Sequence, residues 1–200
     1  MILLRHGESE FNRHFSATKR DPGIRDPALT ENGHSQAMAA LAALSALSIR
    51  RIVVSPYTRA LQTAAPFATA LGVPVSVHSL VGERFAFTCD IGSPRSALER
   101  SWPEHDFSAL PEIWWPAATE SEADVNLRAA RFRAEIAAEA GSGECLVITH
   151  WGFILALTGQ RLTNGAWLRY DPAEPQKRDE RGWDHHRSES RDKTMTEGGI

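Results

Sequence analysis

The chain has 200 residues, 42% hydrophobic and 24% charged, with a formal net charge of −3 and an isoelectric point near 6.2. This suits one soluble domain with a full core, offers no basic field to recruit nucleic acid, and contains no apolar stretch of the ~18 residues a membrane span needs. Two cysteines, Cys89 and Cys145, are too few for a disulfide framework and lack metal-ligand spacing. Free thiols and the absence of a signal-peptide core predict a cytoplasmic protein.

The apolar run Ile2-Leu3-Leu4 reads as the first strand. Thr30 is placed to cap an Ala/Leu-rich helix over residues 30–47. Ile52-Val53-Val54 is a second strand, followed by a helix over 57–71 that Gly72 closes. Val75-Ser76-Val77 is a short further strand. Residues 84–120 combine Phe85, Phe87, Trp102, Phe107, Trp114 and Trp115 with Pro94, Pro103, Pro111 and Pro116. That proline density predicts an inserted lid with one short helix from Ser93-Pro94. A helix over 121–140 follows, with Glu122 and Asp124 in its first turn and Gly141 at its end. Leu146-Val147-Ile148 is another strand, residues 153–159 a short helix, and 165–170 a last strand.

Continuous apolarity in these strands, rather than alternation, suits a sheet covered on both faces. Alternation of strands and helices then predicts an α/β fold: a three-layer α/β/α sandwich around a mostly parallel sheet. We expect one domain over residues 1–172. Residues 173–200 mix charges of both signs with almost no aliphatic residues, which predicts a disordered tail.

The chemistry-bearing residues sit where the strands end. Arg5-His6-Gly7-Glu8 follows the first strand, Arg59 falls in the first helical turn after the second, and His150 follows Thr149. In an open parallel sheet these positions share one edge, where ligands bind. Two guanidinium groups and a nitrogen nucleophile are what a phosphoryl group requires.

The blocks that carry this set resemble the histidine phosphatase, or phosphoglycerate mutase-like, superfamily. They are Leu4 through Asn12, Asp26 through Ala37, Ser55 through Ala64, Glu83, Glu120-Ser121, and Val147-Ile148-Thr149-His150-Trp151-Gly152, in that order. The resemblance implies a phosphomonoesterase with His6 as nucleophile and a phosphohistidine intermediate. It implies Arg5, Arg59 and His150 as phosphate ligands, Asn12 as a further contact, and Glu83 as general acid. It implies neither metal nor cofactor, a small phosphorylated substrate, and inorganic phosphate as product. Trp151 stands where the family commonly has glycine, so Trp151, Arg84 and Phe85 are the expected substrate-pocket residues.

Two rival readings share these residues. A 2,3-bisphosphoglycerate-dependent phosphoglycerate mutase would use the same site, although such enzymes are typically longer between the acid and the second histidine. A non-catalytic module would bind phosphorylated ligands or a protein without turning them over. Glu8 and Glu112 are outside candidates for the acid. Lys19, Arg20 and Arg25 could reach a distal charge on the substrate, or pair with Asp21 and Asp26 within their own loop.

Overall fold

The continuous apolar runs become the strands of a five-stranded sheet: β1 Ile2–Arg5, β2 Arg51–Val54, β3 Val75–Val77, β4 Cys145–Thr149 and β5 Trp167–Arg169. The computed structural model describes residues 1–138 and 144–173. The order across the sheet is β3-β2-β4-β1-β5. Every pairing is parallel except that of β5, which runs antiparallel to β1. The register aligns Arg5 with Thr149 and Val54 with Ile148, so β1, β2 and β4 discharge their chains at one edge.

Six α-helices pack around the sheet: α1 Glu10–Thr18, α2 Glu31–Leu44, α3 Thr58–Leu71, α4 Arg95–Ser101, α5 Glu122–Ala138 and α6 Trp151–Thr158. Successive strand residues point to opposite faces, and the core divides accordingly. Ile2, Leu4, Ile52, Val54, Leu146 and Ile148 pack with Ala40 and Leu44 of α2 and with Leu61, Ala64 and Phe67 of α3. Leu3, Val53 and Val147 pack against Val125, Phe132 and Ile136 of α5 and Phe153 of α6. Complete burial of a ring such as Phe67 or Phe132 contributes ~1.5–3 kcal/mol. The three-layer expectation is met.

Local signals account for the helix ends. Thr30 accepts the Gly33 amide at the start of α2, and that helix stops at Leu44, three residues short of the expected end. Gly72 closes α3 with φ of 60°. The first residue of α3 is capped from a distance, because Asp26 accepts both the backbone N–H and the hydroxyl of Thr58. The expected end of α5 at Gly141 and the charged tail beyond residue 173 lie outside the described residues.

The structure adds α1, which the sequence reading left without a helix. Ser9 and Asn12 form its capping box. The insertion carries the expected short helix after Pro94. It is tied into the core rather than laid over it: Leu98, Phe107 and Leu110 belong to the same cluster as Ile52 and Leu146. Its Trp114 ring packs edge-on to Tyr57 at 4.7 Å and donates to the Ser93 carbonyl.

Candidate active site

His6 leaves β1 at the shared edge and is 2% exposed. Its Nδ1 lies 2.7 Å from the Gly7 carbonyl oxygen. A carbonyl only accepts, so Nδ1 carries the proton and the Nε2 lone pair is left for chemistry. Burial, reinforced by Arg59 and Arg5, holds the ring well below the ordinary imidazole range. His6 is therefore neutral near pH 7. The loop that follows is pressed onto α2, where a Cβ on Gly7 would meet the Gly33 carbonyl oxygen at 2.3 Å. Thr63 of α3 supports it by accepting the Gly7 amide.

Arg5 donates to the Leu162 carbonyl at 2.7 Å, and its buried Nε has no partner among the described residues. Burial lowers this guanidinium to about 10, which leaves it charged at neutral pH. Arg59, one residue into α3, is held on two sides. It donates to the Cys89 carbonyl at 2.8 Å and to Asp90 Oδ1 at 3.2 Å, and it lies over the Tyr57 ring at 4.4 Å.

His150 follows β4 at the N-cap position of α6, wholly buried, with its ring centroid 5.0 Å from that of His6. Its Nε2 meets the Ser55 hydroxyl at 2.7 Å, while its buried Nδ1 is unpartnered among the described residues. Burial, with Arg59 and His6 adding to it, holds this ring also well below its ordinary range.

Glu83 reaches the same place from the loop after β3. Its Oε1 accepts the Arg84 and Gly152 amides, each at 2.8 Å. Burial and the nearby Asp90 carboxylate push its carboxyl up, against the pull of Arg59, the Arg84 amide and Arg5. Arg128 of α5 fixes the backbone around it, donating to the Leu80, Gly82 and Glu83 carbonyls while paired with Glu120.

A cavity of about 560 Å³ collects Arg5, His6, Arg59 and Glu83 with Asn12, Arg84 and Trp151 from the expected set. His150 is packed beside His6 rather than in the cavity wall, and Phe85 does not line the cavity; Phe87 does. Phe85 instead gives its backbone N–H to Glu120. Asn12 spends its amide oxygen on Ser9 and on Asn164, so it serves the α1 cap while lining the cavity. Glu8 is bound to the Thr30 hydroxyl and Glu112 to Ser96, both outside the cavity. Lys19 lines it, whereas Arg20 and Arg25 do not. Of that loop's acids, Asp21 accepts the Thr88 and Gly23 amides, and Asp26 holds Thr58 and Ser93.

Sequence reasoning missed Asp90, Asn164, Arg128, and the Phe11 and Phe15 rings of α1. Asn164 donates to the His6 and Gly7 carbonyls, and Asp90 anchors Arg59. The Ser9-Glu10-Phe11-Asn12 spacing and the four-residue separation of the two phenylalanines were available signals for α1. No local pattern marks Asp90.

The geometry has counterparts among known proteins. A family model described as histidine phosphatase superfamily (branch 1) matches residues 1–189. A glucosyl-3-phosphoglycerate phosphatase of Mycolicibacterium vanbaalenii is 30% identical over 177 residues, covering 81% of this chain and 73% of that protein. One from Mycobacterium tuberculosis is 28% identical, covering 81% and 74%. Among solved structures, a mycobacterial glucosyl-3-phosphoglycerate phosphatase in complex with VO3 superposes with a TM-score of 0.58 at 24% identity, covering 84% of this chain and 88% of its own. An Escherichia coli protein described as a putative alpha-ribazole-5'-P phosphatase has the same TM-score, 0.58, at 24% identity, covering 83% and 87%. The chain belongs to the histidine phosphatase superfamily, branch 1.

Proposed function

We propose that this phosphatase moves the phosphoryl group of a small organic phosphate first to His6 and then to water. The carrying observation is the His6 tautomer: Nδ1–H is committed to the Gly7 carbonyl, and the free Nε2 stands in a cavity with two guanidinium groups and a carboxyl pushed up in pKa. Nε2 attacks phosphorus, the ester P–O bond breaks, and its electron pair leaves on the alcohol oxygen. That oxygen takes the proton of Glu83. In the second half Glu83, now a carboxylate, takes a proton from water. The hydroxide attacks phosphorus, the N–P bond breaks, and its electron pair returns to Nε2 as inorganic phosphate departs.

Arg5 and Arg59 neutralise the equatorial oxygens through the transfer, a part metal ions play at other phosphoryl-transfer sites. Asn12 is a further phosphate ligand, and so is His150, whose Nδ1 has no partner among the described residues and must be uncovered beside His6 when phosphate binds. Trp151 and Arg84 face the leaving group. The relatives' names support hydrolysis of small phosphorylated compounds, and a mycobacterial relative has been solved with inorganic phosphate. Cys89 and Cys145 are buried and not joined in a disulfide, which suits a reducing compartment such as the cytoplasm. No helix among the described residues is long and apolar enough to cross a membrane.

The test is rapid quenching with a labelled phosphate ester. An acid-labile phosphoenzyme should form in the native protein and vanish in His6→Ala. Phosphate should be released from p-nitrophenyl phosphate without any 2,3-bisphosphoglycerate requirement. Bisphosphoglycerate-dependent isomerisation would instead identify a mutase, and neither adduct nor turnover across a broad ester panel would leave only a binding module.

A further inference from the structure

Beyond the phosphate end, the cavity is walled by rings that the reaction does not use. Phe11 and Phe15 of α1 stack with centroids 5.3 Å apart. Phe87, from the insertion, closes on both, at 5.5 Å from Phe11 and 5.2 Å from Phe15. All three line the cavity, joined there by Trp151 at the start of α6. Phe11 is buried, while Phe15 and Phe87 are only half-buried, so the apolar surface they leave uncovered includes area facing the cavity. Apolar area kept open to water within a concave site is the ordinary mark of a seat for an apolar ligand.

Three polar side chains beside these rings, Ser9, Asn12 and Asn164, are turned towards one another, while Ser16, Lys19, Arg84 and Thr163 also line the cavity. The Ser9 hydroxyl donates to Asn12 Oδ1, and Asn164 Nδ2 faces the His6 and Gly7 carbonyls and Asn12 Oδ1. At those three side chains hydroxyl-rich leaving groups would have to compete with bonds already made. A flat apolar group laid on the rings asks nothing of those side chains and gains ring contact.

We propose that the preferred substrates are phosphate monoesters of aromatic or similarly flat apolar alcohols, with the leaving group seated on Phe11, Phe15 and Phe87. This rests on the phosphatase reading above and adds the leaving-group class to it.

The comparison is 3-phenylpropyl phosphate against glycerol 3-phosphate, both unactivated alkyl esters, so the bond broken is alike. We expect kcat/KM to favour the phenylpropyl ester by about tenfold or more, the scale of covering one ring. In Phe15→Ala and Phe87→Ala that ratio should fall towards one, and Phe15→Tyr, which keeps the ring, should restore it. A ratio near one in the native protein, or a ratio that the alanine variants leave in place while both rates drop, would overturn the proposal. Calorimetric binding of 3-phenylpropylphosphonate against methylphosphonate reads the same seat without chemistry. Tighter binding that Phe15→Ala abolishes supports the seat even if turnover fails, which would count against the phosphatase reading alone. Equal binding of the two phosphonates rejects it.

Discussion

Arg59 and Asp90 form an ion pair at 3.2 Å with the two side chains only 3% and 1% exposed. Asp90 is itself tethered on every side. Its Oδ2 accepts the Ala86 and Phe87 amides, and its backbone carbonyl accepts the Tyr57 hydroxyl at 2.6 Å. The insertion therefore aims Arg59, the α3 arginine proposed as a phosphate ligand. The same carboxylate also adds to the upward push on the Glu83 carboxyl. One side chain serves both the cation and the acid of the site.

Removing one member of a buried ion pair strands the other, at ~3–5 kcal/mol. Asp90→Ala should therefore lower unfolding stability by about that much in urea titrations. Asp90→Asn, which keeps the shape, should cost less. Both variants should weaken competitive inhibition by inorganic phosphate, because Arg59 loses its orientation. Asp90→Asn should also shift the alkaline limb of the pH–rate profile to lower pH, since the neighbouring negative charge that raises Glu83 is gone. An unchanged profile would confine Asp90 to a structural part.

The proposed mechanism requires Glu83 and His6 in opposite states at one pH, protonated acid and neutral nucleophile. Their shifts make this possible. His6 is depressed well below its usual range, so it is neutral above a low pH, and Glu83 is raised, so it holds its proton to a higher pH than an ordinary carboxyl. The profile of kcat/KM should be a bell whose acidic limb includes His6 protonation and whose alkaline limb is Glu83 ionisation. Glu83→Gln should lose the alkaline limb and slow alkyl phosphates by about 10²–10⁴-fold. With p-nitrophenyl phosphate the loss in kcat/KM, which reports only transfer to His6, should be much smaller, because nitrophenolate leaves without a proton; kcat should fall for both wherever hydrolysis of the phosphoenzyme limits it. Equal losses in kcat/KM for both substrates would move the acid role to another residue.

What could be read in advance follows from how far each feature reaches along the chain. The strands Ile2–Arg5, Arg51–Val54 and Cys145–Thr149 were legible because burial on both faces leaves an unbroken apolar run. Arg5, His6, Arg59 and His150 were legible because strand ends in a parallel sheet share an edge. Helix Glu10–Thr18 gives a weaker signal, the Ser9–Asn12 cap and the Phe11/Phe15 spacing alone, since its side chains are mostly polar and its buried face is a single residue, Phe11. Asp90, Asn164 and Arg128 act across 31, 158 and 46 residues respectively, on Arg59, the His6 carbonyl and the Gly82 carbonyl. No window of local sequence holds both ends of such contacts. Of the two insertion phenylalanines nearest Glu83, Phe87 and not the expected Phe85 lines the cavity.

Gly7 offers a purely steric test. Its missing Cβ is what allows the loop to approach α2, with the Gly33 oxygen 2.3 Å from where that carbon would stand and backbone on the other side unable to swing away. Gly7→Ala must push the loop off α2 and carry the adjacent His6 with it. A displacement of about 1 Å at a nucleophile can cost about 10²-fold in rate. We expect a loss of that order in kcat with native-like far-UV circular dichroism. Activity within about twofold of the native protein would mean that the loop has room the structure does not show.

Ser55 tests the phosphate part assigned to His150. The ring is wholly buried, its Nε2 meets the Ser55 hydroxyl at 2.7 Å, and Nδ1 is left without a partner among the described residues. If the serine donates, Nδ1 carries the proton and can give it to a phosphate oxygen. Ser55→Ala leaves both nitrogens unsatisfied and releases the tautomer, at ~1–3 kcal/mol of stability in the free protein. The more telling readout is thermal stabilisation by phosphate. At 100 times its dissociation constant a ligand adds ~2.7 kcal/mol to the folded state. In Ser55→Ala the shift in Tm at a fixed phosphate concentration should shrink, because fewer ring N–H groups meet the anion. Ser55→Thr, which keeps the hydroxyl, should recover it. A variant that is less stable but responds fully to phosphate would leave His150 as a packing residue behind the nucleophile.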